Sequence, residues 1–333
     1  MNTPVGAIIR DDLAGAAMSY NAAQAGLVAT KLLPLRRSTK RNIEFYRVPP
    51  AHFLRLESTK RRPKAARQEL EAARVRDTFY VEEYTLEDVV DTADDSGTNT
   101  VEQDETSTAT RLAGTILRDY ERDVANAIFN TTTFPLSGDT GLSVSTPWAT
   151  AASATPIDDV MRGHRSIINR TGQKPNTLVI TQLGLHNLSR CDQIISRIRN
   201  VSTDVKSGVL PLTALATLFD VDRVLIARGR RLSSNVAVTS VTTAGLWDDD
   251  NAFLCYAEMS EDLTVPQIGR TFYVDPDPVP GADPLAPVTI DQVPVNVFEY
   301  PTPKTRGRTI AVEAFLGAKI IEPATGYLFG NLD

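Results

Sequence analysis

The residues best equipped for catalysis or metal binding are few: His52, His164, His186, Cys191 and Cys255. Their spacing supports neither chemistry. No histidine stands in an HExxH pair, no GxSxG elbow presents a serine, and no glycine-rich phosphate loop follows a strand. Each histidine therefore reads as structural rather than as a ligand. The cysteines lie in no CxxC or Cys/His spacing, so a zinc site is not expected. They read as small buried hydrophobes of a protein kept in a reducing compartment. The run Asp248–Asn251 (DDDN) lacks the alternation and the distal glutamate of a calcium loop, and reads as a solvated turn before a strand. No catalytic, cofactor-binding or metal-binding set emerges, and no enzyme activity is expected.

What stands out instead is charge. From Thr78 to Glu105 the chain carries ten acidic residues and no lysine or arginine. Directly upstream, Lys60–Arg76 (KRRPKAARQELEAARVR) is rich in positive charge. The residues singled out are Lys60, Arg61, Arg62, Lys64, Arg67, Arg74 and Arg76 on one side, and Glu82, Glu83, Glu87, Asp88 and Asp91 on the other. Three readings fit the basic block. It is a solvated face with Glu69 and Glu71 interleaved; or it touches nucleic acid, though Phe53 is the sole nearby aromatic for stacking; or it meets the acidic block of a neighbouring copy of the chain. The third is favoured, because complementary blocks set register and orientation between copies. The net charge of −6 argues against a protein whose main work is gripping nucleic acid.

The elements that must carry these blocks follow from periodicity. The chain has 333 residues, 42% hydrophobic and 23% charged, an ordinary globular composition consistent with about two domains. No basic n-region precedes an apolar h-region, and no apolar run approaches the roughly 18–20 residues of a membrane span, so no membrane partner is expected. Residues 1 to about 40 show weak helical periodicity and read as an extended arm that leans on something else. Asn42–Pro49 and Asp77–Leu86 read as strands flanking a basic excursion, with a short helix from Lys64 to Arg76, together a projecting hairpin. The strongest helix runs from Thr100 to Asn130. Its apolar face is Ala109, Leu112, Ala113, Ile116, Leu117, Tyr120, Val124, Ala127 and Ile128, and Thr100 with Gln103 fits a capping box.

Pro156–Met259 reads as a compact α/β unit: helices over Pro156–Gly172 and Gln182–Asn200, a short helix over TALATLFD, and strands over Asn176–Thr181, Val221–Gly229 and Asn251–Met259. Asp275–Pro287 is loop, because its prolines forbid helix and central strand. Val293–Pro301, Arg308–Ile321 and Gly326–Phe329 read as strands that pair with each other and pack on the long helix.

An arm, a strand-flanked excursion, a very long helix, a compact α/β insertion and late strands that return to the helix form an unusual order. In this order the chain resembles the major capsid proteins of tailed bacteriophages, the HK97-type fold. KRRPKAARQ followed by YVEEYTLEDVVD resembles that family's extended loop returning into the acidic run before its spine helix. LRDYERDVANAIFNTTTF is similar to the family's helix end, and NTLVIT with LHNLSR to its α/β strand–helix unit. The likeness covers nearly the whole chain through loose patterns.

The resemblance implies an α+β capsid fold. Its parts would be an N-terminal arm at 1–41, an extended loop (E-loop) at 42–91, a peripheral (P) domain with spine helix at 92–155 and 260–333, and an axial (A) domain at 156–259. It implies self-assembly as hexamers and pentamers into an icosahedral shell around packaged double-stranded DNA, touched by weak non-specific contact. It also implies a separate scaffold protein, or none, since the long helix begins too early for a fused scaffolding segment of about a hundred residues. A portal and, in some relatives, a decoration protein complete the partners. The product would be made in the bacterial host cytoplasm and reside in the virion. The family's lysine–asparagine cross-link has no matching motif here. Two alternatives stay open: an encapsulin-type nanocompartment, which shares the fold, and a two-domain α/β enzyme with a ligand in the Pro156–Met259 unit.

Overall fold

The computed structural model describes residues 8–23, 26–56, 59–60, 74–91, 101–201, 211–233, 242–259, 262–274, 294–302 and 307–333. Its axis is α4 (Val101–Ile128), 28 residues and about 42 Å long. The apolar face read from the sequence is the buried one, with Ala125 buried where Ala127 was expected. Thr100 of the expected capping box lies outside the described residues.

Against α4 lies a large sheet of β1 (Ile8–Ile9), β13 (Asn296–Thr302), β14 (Gly307–Ile320), β12 (Gly269–Val274), β2 (Leu35–Ser38) and β5 (Glu82–Asp91). β14 pairs antiparallel with β13 on one side and with β5 on the other; further along it pairs with β12. Leu316 is partnered by both Glu82 and Tyr273, which places β5 opposite β12 and β13. The two-residue period of a strand then sorts the side chains. Ile310, Val312, Ala314 and Leu316 enter the core shared with α4, and Phe315 points to the other face.

The N-terminal segment belongs to this body. β1 pairs with β13, α1 (Asp11–Ala23) packs along α4, α2 (Ala29–Leu32) follows, and β2 runs parallel to β12. The arm leans on its own chain, because Leu13, Ala14, Ala17, Val28, Ala29, Leu32 and Leu33 supply an apolar stripe that closes the main core. It runs in the same direction as α4. Arg10 at its start bonds Glu105 at 3.3 Å, and the Val28 N–H at its end donates to Glu121 at 2.9 Å.

The hairpin differs most from expectation. β3 (Asn42–Arg47) pairs with β4 (Val75–Tyr80), but the second expected strand breaks at Val81. Val81 is fully buried and donates its N–H to the Arg41 carbonyl at 2.9 Å; beyond it the chain enters the large sheet as β5. Arg76 therefore sits in a strand, and 61–73, most of the expected short helix, lies outside the described residues. The β3–β4 ribbon does not project from its root. Its inner side chains Ile43, Phe45 and Phe79 pack on Phe272, Phe315 and Ile321 of its own chain. Gly317 makes this possible, since a Cβ there would come within 2.4 Å of Phe79. A single helical turn, α3 (Pro50–Phe53), then reaches the α/β unit, where Leu54 sits over Gly172.

That unit holds a five-stranded sheet in the order β6 (Gly141–Ser143), β15 (Gly326–Gly330), β11 (Ala252–Cys255), β7 (Thr177–Thr181), β8 (Arg223–Ala227). Around it stand α5 (Pro156–Thr171), α6 (Gln182–Arg190), α7 (Asp192–Val201) and α8 (Leu212–Leu218), with a ribbon of β9 (Arg230–Leu232) and β10 (Thr243–Gly245) beside it. The expected Gln182–Asn200 helix is two helices, because Cys191 adopts an extended conformation between them. α5 ends as read, at Gly172 in the left-handed region (φ 70°). Gly326–Phe329 does not join the late strands on the long helix. As β15 it pairs with β11 and β6, because Leu328 faces the main core while Tyr327 and Phe329 face the α/β core. A strand buried on both faces shows no alternation that would reveal its partner.

Candidate functional site

The acidic block is a strand, and the pleat divides its charges between two faces. On the face toward α4, Tyr84 donates to Asp123 at 2.9 Å, Arg111 bonds Asp88, and Val90 is buried in the main core. Burial, with the Asp123 bond second, raises the Tyr84 phenol well above its ordinary value. On the opposite face Arg41 reaches Glu83 at 2.8 Å, while Tyr300 donates to Glu87. That bond pushes the Tyr300 hydroxyl up to about 12. Arg41 also lies over the Phe315 ring, 4.0 Å from its centroid. Glu82, Glu83, Glu87 and Asp91 are exposed and Asp88 is half-buried.

On the basic side, Lys60, Arg74 and Arg76 are exposed. Arg76 pairs across the ribbon with Glu44, which raises its pKa. Arg61, Arg62, Lys64 and Arg67 lie outside the described residues. The structure thus gathers the five acids on one strand and sets Arg74 and Arg76 at the far end of a separate ribbon. Glu83, Glu87 and Asp88 are answered within the chain by Arg41, Tyr300 and Arg111. Sequence reading missed these three partners because none is near in sequence.

β5 is also an edge. Among the described residues it has a strand partner on one side only, β14. A groove of about 830 Å³ lies along it, walled by Leu86, Ile116, Arg118, Arg230 and Leu232. Leu86 and Val89 are exposed on this strand, the kind of edge that charged side chains ordinarily guard.

The chemistry-bearing residues are scattered. His52, His164 and His186 stand on α3, α5 and α6, and both cysteines are buried. Burial pushes the Cys255 thiol up to about 12. The Asp250 carboxylate is engaged by the backbone N–H groups of Asn331, Leu332 and Asp333, so this part of the DDDN run anchors the last residues. Among the described residues no group of three or more His, Cys, Asp or Glu could hold a metal ion. Among them, too, no helix is long and apolar enough to cross a membrane.

No protein-family model and no curated protein matches the chain. Solved structures do. A phage-related protein from Bordetella bronchiseptica RB50 superposes over 98% of this chain and 97% of its own, with TM-score 0.70 and 17% identity. The putative capsid protein of an Escherichia coli CFT073 prophage covers 97% and 99%, with TM-score 0.52 and 11% identity. The capsid of cyanophage P-SCSP1u covers 90% and 86%, with TM-score 0.53 and 10% identity. At these identities it is the path of the backbone that is shared, and it is shared from end to end: the chain has the HK97-type fold of phage capsid proteins.

Proposed function

We propose that this chain is a major capsid protein, many copies of which close as hexamers and pentamers into an icosahedral shell around packaged double-stranded DNA. The observation that carries the reading is the likeness, over 97% and 90% of this chain, to two capsid proteins, beside that to a phage-related protein over 98%. In this reading the role is structural rather than enzymatic. In the family's terms, 1–41 serves as the N-terminal arm, 42–91 as the E-loop, 92–155 with 260–333 as the P-domain around the spine helix, and 156–259 as the A-domain. A scaffold protein, a portal and a decoration protein are the further partners. The subunit is made in the host cytoplasm and resides in the virion.

Contact between copies joins the basic block of one subunit to the acidic strand of the next. The open edge of β5 and its exposed acids support this reading. Exposed ion pairs add only about 0–1 kcal/mol each to folding, while facing like charges misdirect docking. Reversing Lys60, Arg61 and Arg62 together to glutamate should therefore block assembly and leave the melting temperature of the subunit nearly unchanged. Negative-stain microscopy and sedimentation of the purified protein, with scaffold supplied, read the outcome. A compact 36 kDa monomer under every assembly condition would sink the shell reading. Normal assembly of the triple variant at low salt would sink the contact alone. Enzyme cargo in place of DNA inside native particles would point to a nanocompartment.

A further inference from the structure

Glu121 is 1% exposed, in the middle of the main core, yet among the described residues no guanidinium or ammonium pairs with it at bonding distance. Three N–H groups from two other parts of the chain hold it. Its Oε1 accepts the Val28 N–H at 2.9 Å and the Trp247 indole N–H at 2.6 Å; its Oε2 accepts the Ala29 N–H at 2.8 Å. One carboxylate on α4 thus ties down the N-terminal segment and the turn that follows β10. The start of α2 depends on it, because Val28 at the N-cap position has no side chain able to accept a hydrogen bond from the first turn.

We propose that Glu121 is an acid-operated latch: on taking up one proton it releases the start of α2 while keeping its hold on Trp247. The placement of the proton follows from the geometry. A proton on Oε1 would oppose two donors, whereas on Oε2 it opposes one. The proton comes from solvent and forms an O–H bond on Oε2, directed at the Ala29 N–H. Two donors cannot share one hydrogen bond, so the Ala29 amide must turn away. Oε1 remains an acceptor for Val28 and Trp247.

The surroundings move this event to a higher pH than an exposed glutamate would need. Burial raises the Glu121 carboxyl above its ordinary value; the three N–H bonds and the Lys31 ammonium on α2 oppose that shift without cancelling it. From α4, Tyr120 lies alongside with its hydroxyl committed to Thr271 at 2.6 Å. Beyond Trp247, Asp248 is committed to the Asp250 N–H and the Asn251 amide. At the start of the N-terminal segment, Arg10 just before α1 and Asp11 and Asp12 in its first turn stand at the opposite end, where Arg10 bonds Glu105. Because the folded carboxyl lies above its unfolded value, its ionised form carries a burial cost at neutral pH. Its stabilising contribution is present below the unfolded value, about 4.3, and is lost as pH rises through the folded one. Acid therefore opens the latch locally without lowering global stability through this group.

The latch does not depend on the shell reading, and hydrogen exchange on the full-length, unassembled chain tests it. After correction for intrinsic exchange, protection of a peptide covering 26–33 should fall about tenfold between about pH 7.5 and about pH 5, while peptides from the middle of α4 hold theirs. Glu121→Gln sets an N–H₂ against the Ala29 amide, as the protonated acid sets an O–H. It should show the low protection of 26–33 at both pH values. Protection of 26–33 that is independent of pH in the wild type, or simultaneous loss across α4, overturns the latch. So does a Gln variant that keeps the pH dependence. The wild-type measurement decides by itself if the variant does not fold.

Discussion

The N-terminal segment is fastened to α4 at two ends, and each fastening is a buried glutamate. At the first, Glu105 is 2% exposed and lies within 3.3 Å of both Arg10 and Arg308. Both arginines also pair with Glu299, Arg308 at 3.1 Å, so two acids and two bases form a closed square. At the second, the hydrogen bonds that Glu121 accepts among the described residues come from three neutral N–H groups. The square is redundant, since removing one carboxylate leaves the other to serve both arginines, which reach solvent. The dipole end has no understudy: one acceptor serves three donors that are otherwise shut away from water. Burial alone therefore says little about what a charge is worth, and the number of alternative partners decides it.

This contrast is most exposed by removing each acid in turn. Glu121→Leu orphans three buried donors and should lower stability by roughly 3 kcal/mol or more, read as a fall in the urea midpoint. Glu105→Leu should cost about 1 kcal/mol, because Arg10 and Arg308 keep Glu299 and water. Its cost should shrink in high salt, while that of Glu121→Leu should not. An Glu105 variant as damaged as the Glu121 variant would break the comparison. The smallest effect sharpens it with a third buried group. His164 on α5 is 4% exposed, and burial pushes its pKa down. The unfolded chain then binds the proton more readily, so stability should decline as pH falls below about 6.5, opposite in sign to Glu121. His164→Phe should flatten that decline in melts run across the range.

Much of the fold is legible in the sequence where structure is local. The face of α4 and the glycine stop of α5 follow from spacing that neighbouring residues enforce. The two latching acids were legible too, though unread. Glu105 stands four residues before Ala109 and Glu121 four after Leu117, in phase with the apolar stripe, and a charge in phase with such a stripe is a charge to be buried. What stayed hidden depends on distant partners. Nothing near Val81 announces that one strand becomes two, since the reason is a place in a sheet completed by β14. Nothing in GYLFG names β11 as its neighbour. Of the candidate contact residues, the acids share the strand β5 but divide between its two faces. Their partners Arg41, Arg111 and Tyr300 come from elements far apart in the chain and leave no mark in the charge pattern.

β14 has a mechanical meaning. At about 3.3 Å per residue its 14 residues extend some 46 Å, as long as α4 itself. Its hydrogen bonds to β5, β12 and β13 stand across the strand direction, so a pull along β14 strains them together, in shear. A pull that opens the six-residue β3–β4 ribbon from its end meets its bonds one pair at a time. Stretched from within, the molecule would peel at the ribbon long before it slipped along β14.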